Sequence, residues 1–332
     1  MRAAGAEPAR QREWNATLRE YHTSDDAMQT CLDLARIAAR TSLPVLILGE
    51  TGTGKTLLAR VIHNSSRRAR NPFVAFNSAA LSETLLDSQL FGHEKGAFTG
   101  ADRRVKGKFE LADQGTLFLD EIADMSPTAQ AKILRAVEYG EFERLGSEAL
   151  LEADVRLISA THLPIARYLQ TDTFRKDLFY RISGITLRVP ALRDRPNDLR
   201  SLMAAEIAAA SAAQEKAIVG LSRVAADRLL AYHWPGNLRE LKRVIDTAVA
   251  ITDGDVIEVE ALLIDSGPGP DEPGGSKAAP PAPSIPEGDL SLASAERRHI
   301  LAVLEQCGNN KRRAARLLGL ARSTLDRKLA QS

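Results

Sequence analysis

Gly49-Glu50-Thr51-Gly52-Thr53-Gly54-Lys55-Thr56 fits the phosphate-loop pattern G-x-x-x-x-G-K-[ST] at every fixed position. Just ahead of it, Pro44–Leu48 is a short apolar run closed by a glycine, which reads as a buried strand. From Lys55 to about His63 the chain reads as a helix. Such a loop works because consecutive backbone N–H groups and a helix N-terminus converge on anionic oxygens. Gly49, Gly52 and Gly54 allow that approach, with Glu50, Thr51 and Thr53 completing the loop. Lys55 is expected on the β and γ phosphates and Thr56 on Mg²⁺, so the expected ligands are a nucleoside triphosphate and Mg²⁺.

Working outward, Phe73–Phe76, Thr116–Asp120, Val155–Ser159 and Ile185–Val189 read as further strands with helical segments between them. That alternation predicts a parallel sheet with helices on both faces. A helix over 25–40, with Ser24 as N-cap, precedes the first strand. The chain then divides into a short polar segment (1–23), an α/β nucleotide-binding part (24–196) and a helical part (197–265) without strand signals. Residues 266–288 follow, holding seven of the fifteen prolines and five glycines, a linker composition. A small helical unit (289–332) comes last.

Net charge over 332 residues is +1, but its distribution is uneven. The last unit carries nine Lys/Arg against four acids, hence +5, which leaves −4 elsewhere and points to nucleic acid as a partner of the tail. Two scattered cysteines suggest no disulfide framework and a reducing compartment. The absence of a long apolar run and of a signal-like N-terminus leads to an expectation of a cytoplasmic chain with no membrane partner.

Gly115-Thr-Leu-Phe-Leu-Asp120-Glu121 supplies two adjacent carboxylates at a strand tip. Alone, such a pair is usually a solvated strand end. About 65 residues after a phosphate loop it reads as Asp120 holding Mg²⁺ through water and Glu121 orienting or deprotonating the attacking water. The stretch Phe174–Arg181 offers Arg175 and Arg181, which by spacing alone read as surface ion-pair residues. In Trp234–Leu241, Pro235-Gly236 makes a turn, Asn237 is a candidate helix cap and Arg239 lies in the first turn, within reach of a phosphate. Gly96-Ala97-Phe98-Thr99-Gly100-Ala101 reads as a small-residue turn or a hairpin tip with an exposed phenylalanine.

In the tail, a helix over 292–306 precedes one from Asn309 through Leu318, broken by Gly319, and a basic one from about Arg322 to Leu329. Helix, glycine turn and basic helix form a helix-turn-helix pattern. A solvated helical hairpin is the plainer alternative. On the DNA reading, Ser323, Thr324 and Arg327 meet base edges, Arg312, Arg313 and Lys328 meet phosphates, and Arg322 opens the basic helix.

Taken together and in this order, Gly49–Thr56, Leu90–Ala101, Gly115–Glu121, Phe174–Arg181, Leu192–Arg195 and Trp234–Leu241 resemble the AAA+ domain of sigma-54-dependent transcription activators over about 24–265. The tail resembles their Fis-type DNA-binding domain. The fold implied is α/β: an AAA+ P-loop NTPase with a helical lid subdomain and a small all-α helix-turn-helix domain. The resemblance implies that Gly96–Ala101, through Phe98 and Thr99, touches sigma-54. It implies that Asn77 holds Glu121 in an inactive pose, that Arg175 and Arg181 are fingers acting on a neighbouring subunit, and that Arg239 is the sensor II arginine. Thr161 falls at sensor I, followed by His162 where asparagine is common. The partners implied are sigma-54 RNA polymerase holoenzyme, double-stranded upstream DNA and further copies of the chain, from dimer to hexamer. With only about 24 residues ahead of the AAA+ part, control is expected from a separate regulatory protein or a segment preceding residue 1. A nucleotide-dependent assembly switch and a remodelling ATPase unrelated to transcription are the alternatives. The catalytic set argues against the first, and the 96–101 loop and tail argue against the second.

Overall fold

A computed structural model describes residues 15–79, 82–163, 173–264 and the single positions 165, 169, 300, 311, 315 and 324. The chain divides into two compact units, Met1–Ser266 and Gly267–Ser332. In the first, nine strands lie ahead of the lid: β1 (Val45–Leu48), β2 (Phe73–Asn77), β3 (Gly92–His93), β4 (Val105–Lys106), β5 (Thr116–Asp120), β6 (Glu141–Glu143), β7 (Leu150–Glu152), β8 (Arg156–Thr161) and β9 (Ile185–Arg188). Five of them form one all-parallel sheet in the order β2-β5-β8-β1-β9.

Side chains alternate along each strand, and both faces are buried. Leu46, Leu117, Leu119 and Leu157 enter one core with Phe91, Phe109 and Phe174. Val45, Ile47, Phe118, Ile158 and Ala160 enter the other, against the helices Asp26–Arg40 and Lys55–Asn64. The helix Pro127–Tyr139 shows how local chemistry sets its bounds. Ser126 accepts from the Ala129 amide, Pro127 opens the first turn and Gly140 closes the helix at φ 75°.

The expected strands are all present, with edges shifted by a residue or two. Several finer expectations are corrected. The helix starting at Asp26 is preceded by Asp25, not Ser24, and neither side chain caps it. The Ser24 amide donates to Asp198 Oδ1 (2.8 Å), and Asp25 Oδ2 accepts from the Asp198 amide (2.8 Å), so both polar groups are spent on the lid. The intervals read as helical also contain two antiparallel hairpins, β3–β4 and β6–β7. Strands of two or three residues are too short to generate a period. For the same reason the helical part, read as strand-free, contains a short parallel pair, Gly220–Leu221 with Val256–Ile257. That lid packs the helices Pro196–Ala213, Arg223–Leu230 and Asn237–Ile251 around fully buried Trp234, whose Nε1 donates to Leu229 O at 3.0 Å.

In the second unit the described positions are Ile300, Lys311, Ala315 and Thr324, each helical, with Ile300 and Ala315 buried. The other DNA candidates, Arg312, Arg313, Arg322, Ser323, Arg327 and Lys328, lie outside the described residues.

His63 is buried on the Lys55–Asn64 helix, with Nδ1 2.9 Å from Thr116 Oγ1. Burial first, then repulsion from Arg60 and Arg156, pulls its pKa down to about 4. The unfolded chain therefore takes up a proton near pH 6.5 that the folded chain refuses until about 4. Stability is expected to fall by on the order of 2 kcal/mol as pH drops through that window. Denaturant unfolding at pH 7 and pH 4.5 checks this: His63→Leu should flatten the slope, and an unchanged slope would remove His63 from the role.

Candidate nucleotide site

Parallel pairing sets the site. The register Leu48↔Thr161 and Leu119↔Ser159 brings the carboxyl ends of β1, β8 and β5 side by side, and Asn77↔Asp120 adds β2. The phosphate loop leaves β1, the acidic pair leaves β5, and Thr161 ends β8. The loop, the acidic pair and Arg239 border a cleft of about 470 Å³ lined by Gly52, Gly54, Lys55, Thr56, Asn77, Asp120, Glu121, Asp124 and His162.

Gly52 and Gly54 have φ of 82° and 97°, left-handed values that favour glycine, and Gly54 is the N-cap of the Lys55–Asn64 helix. The Gly49 amide donates to Thr161 O (3.3 Å), tying the loop to β8. Lys55 is buried and its Nζ donates to Gly49 O (2.8 Å) and Glu50 O (3.1 Å). Desolvation lowers its pKa, while Glu121 and Asp120 oppose the shift. Asp120 moves the other way, raised first by desolvation and then by Glu121. A buried cation facing two crowded carboxylates makes a cleft that gains from an added ion pair of matching charges. Thr56 and Asp120 line the same cleft, so a hydroxyl and a carboxylate face it together from the phosphate loop and the strand tip. That donor set fits a hard cation that keeps most of its waters, such as Mg²⁺. Among the described residues no group of three or more His, Cys, Asp or Glu could hold a metal ion.

Glu121 is held at a left-handed φ of 56°. Ser78 Oγ donates to Asp120 O (3.0 Å) and Glu121 O (2.7 Å), pinning the backbone there. The carboxylate is held from the end of β8: Glu121 Oε2 accepts from the His162 amide (3.2 Å) and from His162 Nδ1 (2.7 Å). Asn77 Oδ1 accepts from the Ala79 amide (2.8 Å), and the bonds to Glu121 come from His162. Asn77 lines the same cleft, and Thr161 Oγ1 accepts from the Leu163 amide at 3.1 Å.

The two finger candidates are not brought to this cleft. Arg175 is exposed and chelates its own chain's Asp177 (3.0 and 2.7 Å). Exposed Arg181 donates to Val137 O (3.3 Å) and Glu138 O (3.2 Å). Asn237 does not cap its helix; Gly236 does, and Asn237 is the first helical residue, at φ 52°. Arg239 lines the cleft from the lid, and its charge adds to the lowering of the Lys55 pKa.

A second cavity, about 430 Å³, opens behind the loop and was not read from the sequence. Tyr21 to Ser24, Thr53, Leu58, Val189, Leu202 and Leu238 line it, together with Arg195 and Asp198. Its walls come from chain segments as far apart as Tyr21 and Leu238, so no local pattern announces it.

The 96–101 loop sits between β3 and β4, which makes it a hairpin tip. Gly96 and Gly100 have φ of 84° and 97°, and the Gly96 amide donates to Ala101 O (2.8 Å), closing the loop. Thr99 is exposed. Phe98, expected exposed, is half-buried, with its ring edge-on to His93 at 5.0 Å. The second hairpin braces the first: the Glu94 amide donates to Leu145 O (3.0 Å), and buried Arg144 pairs with both Glu94 and Glu110.

Residues 21–188 match the family described as the sigma-54 interaction domain, residues 193–270 the AAA+ ATPase lid domain and residues 291–331 the Fis family of bacterial regulatory proteins. The chain is 44% identical to the transcriptional regulatory protein ZraR of Klebsiella oxytoca over 92% of this chain and 67% of ZraR. It is 43% identical to the regulatory protein AtoC of Escherichia coli, over 92% of this chain and 65% of AtoC. Crystal structures of NtrX from Brucella abortus superpose on it at 32% identity. With ADP the TM-score is 0.68, covering 96% of this chain and 70% of NtrX; with ATP it is 0.67, covering 93% and 68%. The chain thus spans about two thirds of the length of these relatives. With that sheet, lid and ordered set of matches, the chain belongs to the sigma-54-dependent transcriptional regulators, as a P-loop AAA+ domain followed by a Fis-type helix-turn-helix domain.

Proposed function

We propose that this chain hydrolyses ATP to drive sigma-54-dependent transcription: it binds upstream DNA through 289–332, assembles a ring through 24–265, and works the 96–101 loop against sigma-54. The observation that carries the reading is the convergence of Lys55, Thr56, Asp120, Glu121, His162 and Arg239 on one cleft. On this reading the loop amides and Lys55 hold the phosphates, and Arg239 meets them from the lid. Thr56 and Asp120 would hold Mg²⁺, which neutralises charge on the transferring phosphoryl group. Glu121 takes the proton of the attacking water as the γ-phosphoryl–oxygen bond to ADP breaks. His162 orients that base through one carboxylate oxygen, leaving the other for water.

Arg175 and Arg181, exposed and remote from their own cleft, suit a role on a neighbouring subunit's nucleotide, and so a homo-oligomer up to a hexamer. Thr99 on a glycine-hinged hairpin tip suits contact with another protein. The basic tail suits duplex DNA, and a separate regulatory protein remains a partner of this reading. Among the described residues no helix is long and apolar enough to cross a membrane.

The decisive experiment is binding of the purified chain to sigma-54 with ADP plus aluminium fluoride against ADP alone. A complex formed only with the transition-state mimic is expected. Its absence in a chain with intact ATPase activity would favour a remodelling ATPase outside transcription. Glu121→Gln should retain ATP binding and lose turnover by roughly 10²-fold or more, the range of a lost general base. His162→Ala should lower kcat about tenfold with KM for ATP nearly constant, as expected for an interaction made in the transition state; faster turnover would make His162 a restraint instead. Thr99→Ala should keep ATPase activity and abolish promoter opening, and normal opening would remove the loop from its role.

A further inference from the structure

Asn237 is fully buried, yet polar, and it sits at a left-handed φ of 52° in the first turn of the helix that carries Arg239. Asparagine tolerates that backbone better than most residues. Its side chain joins three segments far apart in sequence. Oδ1 accepts from the Leu192 amide (2.7 Å), while Nδ2 donates to Glu50 Oε2 (3.2 Å) and to Thr51 O (3.1 Å). Both ends of the amide are therefore committed, one to the chain entering the lid and one to the phosphate loop.

The neighbouring contacts run the same way. The Leu238 amide donates to Gly52 O (3.0 Å), at the middle of the phosphate loop. A Cβ on Gly52 would stand 2.3 Å from Gly236 O and 3.3 Å from Arg239 Cβ, so loop and lid turn meet backbone to backbone. On its outer side Glu50 is gripped by both Arg193 guanidinium nitrogens (2.9 and 2.5 Å), and that grip holds its carboxyl below the usual range. Glu50 thus offers its carboxylate to the lid and its carbonyl to Lys55 and Thr53.

We infer that Asn237 is a positioning residue that latches the phosphate loop, through Glu50 and Thr51, to the lid turn bearing Arg239, so that affinity for a nucleoside triphosphate depends on a side chain that acts only through the loop. The inference rests on the nucleotide-binding reading of the cleft. The latch sets how far Arg239 stands from the phosphates, and it keeps the loop carbonyls turned toward the lid, with their N–H groups left for the ligand.

The test uses the full chain with Mg²⁺ and a non-hydrolysable ATP analogue, with thermal unfolding run on every variant. Asn237→Gly keeps the left-handed backbone accessible and removes only the side chain. It should raise the Kd about tenfold, which is about 1.4 kcal/mol. Glu50→Ala should raise the Kd at least fivefold. That sign is diagnostic, because deleting an anion beside a triphosphate by itself tightens binding. Glu50→Gln, whose amide oxygen still accepts from Asn237, should recover most of the loss. Arg193→Ala, which removes the outer grip alone, should cost less than twofold. Unchanged affinity in a folded Asn237→Gly chain, tighter binding in Glu50→Ala, or equal losses in Glu50→Ala and Arg193→Ala would each overturn the latch. Should Asn237→Gly fail to fold, the Glu50 and Arg193 arms decide alone. Failure of the unaltered chain to bind the analogue would instead overturn the nucleotide reading.

Discussion

Everything at the site hangs on the parallel pairing of β1 with β8 and of β8 with β5. Parallel strands point the same way, so their carboxyl ends share one edge, and whatever follows them is gathered there without further instruction. The phosphate loop, the acidic pair and the Thr161-His162 turn become neighbours because Leu48 pairs with Thr161 and Leu119 with Ser159. A slip of one residue in either register would turn Leu117 and Leu119 into the face now occupied by Phe118. The two apolar cores therefore hold the chemistry in register.

Glu121 and Asn237 are non-glycine residues at positive φ, and both are tied down by hydrogen bonds from distant segments. Such conformations persist only where the surroundings over-determine them. Ser78 supplies this for Glu121, and the Leu192 amide and Glu50 supply it for Asn237. Lys55 and Asp120 are both partly desolvated and shifted toward their neutral forms. A ligand bringing negative phosphates and a divalent cation compensates both at once, so the cleft's electrostatics are complementary to a metal-bound nucleotide.

The hairpin tip and the cleft belong to one compact unit but are built differently. The cleft is anchored by buried strands. The tip is closed by its own backbone bonds, hinged by glycines at 96 and 100, and braced through Arg144 and Leu145. Phe98 rests on His93 and Thr99 faces solvent.

The amino-acid sequence by itself determined the nucleotide loop, the strand-helix alternation and the acidic pair. These are local: a glycine spacing, a run of apolar residues ended by carboxylates, a change of period. It left undetermined what depends on residues meeting across the chain. Only the tertiary structure decided that His162 rather than Asn77 holds Glu121, that Asn237 latches the lid instead of capping a helix, and that Tyr21 to Ser24 wall a second cavity. Two-residue strands such as β3 and β4 likewise escaped notice, because their stability comes from the neighbours that pair with them and not from any periodicity of their own. A hydrogen bond between positions 121 and 162 has no signature in either segment, since the energy that selects it arises only when β5 and β8 lie side by side.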